Sequence, residues 1–338
     1  MDSERPDEHQ PEGPVPTAPE NIRLSISAFD TEERATRFAH LVAAYVRELS
    51  RHIEMSALDG ITIAADYDQA LRDLDRGYET SYELTRTDDV AIGVAMTPSV
   101  IRDGVRRSHM LFNVGVLLPL EDAKHEAFGL SLHTLAHECA HVEVSAAFDY
   151  CFPDTLLKKT YDNLRDAARW DIILACWDEY AATRIAARFG EDPTDGYEET
   201  FLTVLAHTRD RSNAFVRDYR LHGDVGRLYR EVAGAYGNLM KFACYHFGNL
   251  AGFAVAAKDR PATAKALDGH WFAPYFERLD DICQEIFAQF GAWENQSSFD
   301  KIGGLADELV ELGGLIVEDL GGGELYIDVP YTAATMPQ

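Results

Sequence analysis

Apolar residues return every three or four positions along most of this chain, and every second position along a few short stretches near its start. Those two periods separate helix faces from half-buried strands. Alternation over 21–29 predicts a short strand, and a helix follows to about residue 52, with Asp30 or Thr31 as its N-cap ahead of Glu32 and Glu33. A strand at 61–65 and a helix at 67–74 come next. The apolar runs 90–96 and 110–118 flank the turn pair Asp103-Gly104 and predict antiparallel strands. Long helical patterns then cover 130–152 and 155–189. After Gly190-Glu191-Asp192-Pro193 the helical period resumes over about 195–224, 225–258, 271–290 and 300–312, broken by Pro261 and Asp268-Gly269, before a last strand at 324–329.

The pattern predicts an α+β chain in which a small antiparallel or mixed sheet precedes the helix at 130–152 and a mostly helical half follows. Residues 1–20 are rich in Pro and Glu and read as a disordered acidic tail. Residues 21–189 form the first folded region, and 190–338 a mainly helical region packed on it. No internal repeat is present.

Composition narrows the function classes. A net charge of −26 excludes a sequence-independent nucleic-acid binder, which needs clustered Lys and Arg. The acidity is foremost a matter of solubility, and leans toward basic or unfolded substrates. Cys139, Cys151, Cys176, Cys244 and Cys283 are scattered, without a C-x-x-C pair, and the polar N-terminus carries no signal-peptide pattern. Reduced thiols in the cytoplasm are the expectation. No membrane span is expected: the nearest candidate, 242–257, contains His246 and Asn249. Gly313-Gly314 and Gly321-Gly322-Gly323 lack the G-K-[ST] continuation of a phosphate loop and read as turns.

The strongest chemical signal lies inside the helix at 130–152, where His137-Glu138-Cys139-Ala140-His141 reads H-E-x-x-H. Residues four apart share one helix face, so two imidazoles at this spacing can hold one Zn²⁺ from the same side. Glu138 then stands beside a metal-held water as general base. His133 extends the series, but the helix rise separates it from His141 by about 12 Å, too far to share one ion. It reads as a satisfied core or supporting histidine. Cys139 reads as packing, and Glu143 as a solvated or structural acid.

A catalytic zinc wants three protein ligands and one open position. On the next helix an apolar stripe runs Leu157, Tyr161, Leu164, Ala168, Ile172, Ala175, then position 179, then Ala182 and Ala186. Position 179 is Glu. A carboxylate on a buried face is costly unless it meets a cation or a metal, so Glu179 is the expected third ligand. Two alternatives stand beside it: Glu179 pairs with a core-facing Arg such as Arg184, or the helix turns to bring Asp178 inward.

With these residues the chain resembles gluzincin-type zinc metallopeptidases, in which H-E-x-x-H on one helix is completed by a Glu on a following helix. Trp177-Asp178-Glu179-Tyr180-Ala181-Ala182 is similar to the E-x-x-A element that carries that ligand, and intracellular peptidases of the ImmA/IrrE type are loosely similar. The resemblance covers roughly 88–189. It implies a zincin-like core, Zn²⁺ on His137, His141 and Glu179, and hydrolysis of a peptide or protein substrate by a zinc-bound water that Glu138 activates. It also implies a sheet edge that takes up extended substrate, with an ordinary structural sheet as the alternative.

The chain departs from the family pattern twice. Glu143 stands where the second residue after the motif is usually apolar, and Thr183 stands where some gluzincins place an Asp that orients a His. The orienting group is therefore unassigned. The departures also motivate a second reading, a zincin-like metal-binding regulatory or interaction module with little or no hydrolytic activity. Tyr245, His246, His207 and Tyr219 are oxyanion-stabilising candidates by residue type alone.

Overall fold

The computed structural model describes residues 13–80, 82–86 and 93–336. β1 (Arg23–Ser27) leads into α1 (Glu32–Leu49), capped by Thr31, whose side chain accepts from the Arg34 N–H. β2 (Leu58–Ala64) runs parallel to β1 and is buried along nearly its whole length, as suits a central strand. The short α2 (Tyr67–Asp73) follows, capped by Asp66.

β3 (Ala95–Met96), β4 (Ser99–Arg102) and β5 (Val105–Asn113) complete a mixed five-stranded sheet. β5 lies parallel to β2, whereas β3 and β4 both pair antiparallel with β5. The Asp103-Gly104 pair makes the β4–β5 turn with φ of 51° and 78°, the left-handed values such hairpin turns require. The Asn113 N–H donates to the Val94 carbonyl at 2.9 Å and the His109 N–H to that of Pro98 at 3.0 Å. Residues 94–102 are thus one edge segment, interrupted at Thr97-Pro98, where proline can offer no N–H to a ladder.

Three expectations need correction. The run 110–118 is not one strand: β5 stops at Asn113, whose side chain accepts from the Gly115 N–H and starts the single helical turn α3 (Val114–Leu117). Nor is 155–189 one helix. A turn, α5 (Thr155–Lys158), is separated from α6 (Leu164–Ala186), which Asn163 caps by accepting from the Asp166 N–H. Leu157 and Tyr161 kept the helical period by coincidence. The predicted tail also ends early: residues 1–12 lie outside the described residues, but Ala18 is buried and the Thr17 hydroxyl donates to the Ser50 and Ile53 carbonyls. Of the run 90–96, residues 90–92 lie outside the described residues.

α4 (Phe128–Cys151) carries the H-E-x-x-H motif and is the hinge of the architecture. Leu135, Cys139 and Val142 pack against the sheet and α1. Val144 and Phe148 pack into a second core built with α6 and with α7 (Thr194–His222), α8 (Val225–Gly252), a short α9 (Pro261–Leu267) close by, α10 (Ala273–Phe287) and α11 (Ser297–Leu312). This second core runs across residue 190. β6 (Ile316–Gly321) and β7 (Glu324–Asp328) close the chain as a hairpin around Gly321-Gly322-Gly323; the sequence pattern had marked only its second strand. Among the described residues no helix is long and apolar enough to cross a membrane.

Candidate metal centre

One turn of α4 sets His137 and His141 side by side, each 8% exposed, with their Nε2 atoms 3.0 Å apart. Across from them α6 presents Glu179, whose Oε2 lies 3.4 Å from the His137 Nε2 and 3.6 Å from the His141 Nε2. A triangle with those three sides has its corners about 1.9 Å from its centre, close to the roughly 2.0–2.2 Å of Zn–N and Zn–O contacts. The Glu179 Oε2 is buried and accepts no hydrogen bond from the protein. Two imidazoles and a carboxylate, converging at ligand spacing around an unsatisfied oxygen, fit a divalent metal.

Asp178 and Glu179 are alternatives in the sequence, but in the structure both lie beside the histidines. The Asp178 Oδ2 sits 2.9 Å from the His141 Nδ1, at ion-pair distance without an aligned hydrogen bond, so an acid beside Glu179 neighbours the ring that faces the centre. That position was legible only once α6 had been placed against α4. Burial opposes charge on His141, but Asp178 first, then Glu179 and Glu138, outweigh it and draw its pKa up to about 10. Burial likewise opposes the charge on Glu179, yet the two histidines and the Tyr245 hydroxyl bring it down to about 2. The alternative pairing of Glu179 with Arg184 does not occur: Arg184 donates to the Tyr180 hydroxyl at 2.7 Å and lies over the Phe287 ring. Thr183, at the position of the family's orienting Asp, donates back to the Glu179 carbonyl at 2.7 Å.

Glu138 points toward the sheet edge, where the Thr97 hydroxyl donates to its Oε2 at 2.6 Å. It is 5% exposed. Burial raises its pKa against the pull of His141, His137 and Thr97, the direction that suits a base working near neutrality. The interruption at Thr97-Pro98 therefore has a consequence at the centre, since it turns one edge side chain onto the candidate base.

These groups line a cavity of about 480 Å³ bounded by the edge residues 93–98 on one side and by α7 and α8 on the other. A second space of about 240 Å³ shares Thr97 and Asp178 with it and is walled by Val144, Phe148, Leu156 and Trp177. Of the four oxyanion candidates only Tyr245 reaches the cavity, with its ring stacked 5.8 Å from that of His137. His246 is buried elsewhere against the Thr263 hydroxyl, His207 borders a separate hollow, and Tyr219 packs near His222. Tyr197 was missed. It lines the cavity, meets the His133 Nε2 at 3.1 Å and stands 5.4 Å from the Tyr245 ring; as one tyrosine among 15, it carried no sequence signal of its own.

Glycines set the distance of the Tyr245 wall. A Cβ at Gly248 would press into the Thr183 hydroxyl and the Tyr180 carbonyl, and one at Gly237 into Ile172. α8 therefore lies backbone-close on α6, which brings Tyr245 within reach of Glu179. The remaining expectations near the motif fit what is found. His133 is buried and bonded to the Phe189 carbonyl as well as to Tyr197, its pKa lowered to about 4 by burial and by His137. Glu143 accepts from the Glu54 N–H at 3.0 Å, a structural role.

Comparisons of this chain with known protein families, with characterised proteins and with solved structures found no match.

Proposed function

We propose that this protein is a zinc-dependent peptidase with a zincin-like core, acting in the cytoplasm on peptide or protein substrates. The observation that carries the reading is the convergence of His137, His141 and Glu179 on one point beside a buried, hydrogen-bonded Glu138, in a cavity bordered by a sheet edge. A Zn²⁺ held there would supply Lewis acidity, lowering the pKa of a water toward neutrality and polarising a carbonyl. The five unpaired cysteines, four of them buried, support the cytoplasmic placement.

The chain's own residues divide the remaining work. An extended substrate beside residues 93–98 gains backbone hydrogen bonds from the edge. Thr97 aims the Glu138 carboxylate at the attacking water. Glu138 removes a proton as the water oxygen adds to the scissile carbonyl carbon, and delivers it to the amine nitrogen as the C–N bond breaks. Tyr245, and behind it Tyr197, offers a hydroxyl on the facing wall to the oxygen that gains charge. Asp178 keeps the His141 ring in place throughout.

Glu138→Gln tests the reading. The variant should keep the metal content of the parent and lose about 10²–10⁴-fold in hydrolysis of a degenerate peptide library, the range general acid–base groups contribute. Full turnover by pure, metal-loaded Glu138→Gln protein would sink the mechanism. Stoichiometric metal in a wild-type protein that cleaves no library peptide would point instead to a binding module.

A further inference from the structure

The chain carries 57 acidic residues against 31 Lys and Arg, so most of its cations have acids to choose from. The cavity at the metal centre holds three carboxylates, Glu138, Asp178 and Glu179, but among the described residues a single Lys or Arg lines it, Lys241. Lys241 is half-buried. Its ammonium lies over the face of its neighbour Phe242, 5.0 Å away, and no carboxylate lies within ion-pair distance of it among the described residues.

Its position is fixed by α8. Lys241 stands one helical turn before Tyr245, about 6 Å along the axis, and the Tyr245 ring in turn stacks on the ligand His137. Phe242 stacks on Tyr245 at 5.8 Å and fills the space between. An ammonium so placed in a concave, partly apolar site is expected to find its counter-ion in what the site binds.

We infer that Lys241 is a specificity determinant that binds a carboxylate of the substrate, from an acidic side chain or a free C-terminus, about one helical turn from the metal centre. The inference rests on the peptidase reading and reverses the simplest expectation from net charge: the surface is acidic, but this cavity selects an anion. The mean charge of a chain says little about the local field in a cleft, where low-dielectric walls strengthen a single charge.

Full-length, zinc-loaded protein is offered matched peptides with Glu or Gln near the cleaved bond and an amidated C-terminus, and the Gln peptide again with a free C-terminal carboxylate. In parallel, ω-carboxyalkyl hydroxamates are titrated against their carboxamides. The carboxylate forms should be favoured about tenfold, the scale of one partly screened ion pair, chiefly through KM. The preferred peptide identifies which carboxylate is read. Lys241→Met should bring the carboxylate-to-amide ratio close to one, and Lys241→Arg should preserve it. Equal handling by the wild type, or a preference that survives Lys241→Met, overturns the inference. Carboxylate-selective hydroxamate binding without cleavage keeps Lys241 and removes the peptidase reading; cleavage without selectivity does the reverse; failure to take up zinc removes both.

Discussion

Two acids in this molecule, Glu198 buried and Glu179 half-buried, sit near histidines and end in opposite states. Glu198 on α7 closes every account locally: Arg260 pairs with its Oε2, while the Thr263 N–H and hydroxyl donate to its Oε1 at 3.2 and 2.6 Å. The same Thr263 hydroxyl meets the His246 Nε2 at 2.8 Å. Glu179 on α6 faces two imidazole nitrogens and leaves its Oε2 without a donor. Burial penalises both carboxylates, and both are nonetheless held below their ordinary pKa of 4.5. A fixed guanidinium, one hydroxyl and one backbone N–H complete the first. The second is arranged as if a charge were still to come. The difference teaches that burial of an acid does not mark a site; the mark is convergence of donor atoms that cannot satisfy one another.

The largest effect that could break this contrast is metal-linked stability. Zn²⁺ at about a thousandfold excess over its Kd should stabilise the wild type by about 4 kcal/mol, and Glu179→Ala or His137→Ala should abolish the gain, read by thermal unfolding with and without metal. A shift of the same size in Glu179→Ala would show that the ion binds elsewhere. Arg260→Ala provides the counterpart and should keep the full zinc-induced gain.

Asp178→Asn sharpens the role of the second acid, by keeping the shape and removing the charge beside the His141 Nδ1. A loss of about 10–100-fold in zinc affinity is expected, the usual cost of altering such a supporting group, measured by competition with a chromogenic chelator. Unchanged affinity would reduce Asp178 to a surface acid.

At the closed site, Arg260→Ala should cost about 1–3 kcal/mol in urea unfolding at neutral pH, because it strands a buried acceptor. The smallest effect is its pH dependence. Burial raises the pKa of Glu198, but the bonds from Arg260 and Thr263 more than offset this and leave it depressed. A depressed folded pKa contributes stability that is fully present above the unfolded value near 4.5 and lost as pH falls through the folded one. The advantage of wild type over Glu198→Gln should therefore hold at neutral pH and shrink below about 4.5. A difference independent of pH would assign the stabilisation to packing.

Much of the framework was legible because period and local chemistry agreed. The α4 helix, its two histidines and Glu138 follow from spacing alone. Glu179 followed from the interruption of an apolar stripe, although the first two members of that stripe belong to a separate turn and a loop. Errors cluster where a polar side chain ends an apolar run: Asn113 stops β5 and Asn163 starts α6, each by capping a backbone N–H that hydropathy does not register.

The sequence alone determined that His137 and His141 share one face of one helix beside Glu138, because i to i+4 spacing is a property of one helix. Which groups complete the site was a decision of the tertiary structure. Thr97 reaches Glu138 from a sheet edge 41 residues away. Asp178 meets His141 only because α6 lies against α4, and Tyr245 stacks on His137 beside a wall whose glycines on α8 let two backbones touch. Contacts between elements depend on packing distance and rotation, and no local period in a single chain encodes either.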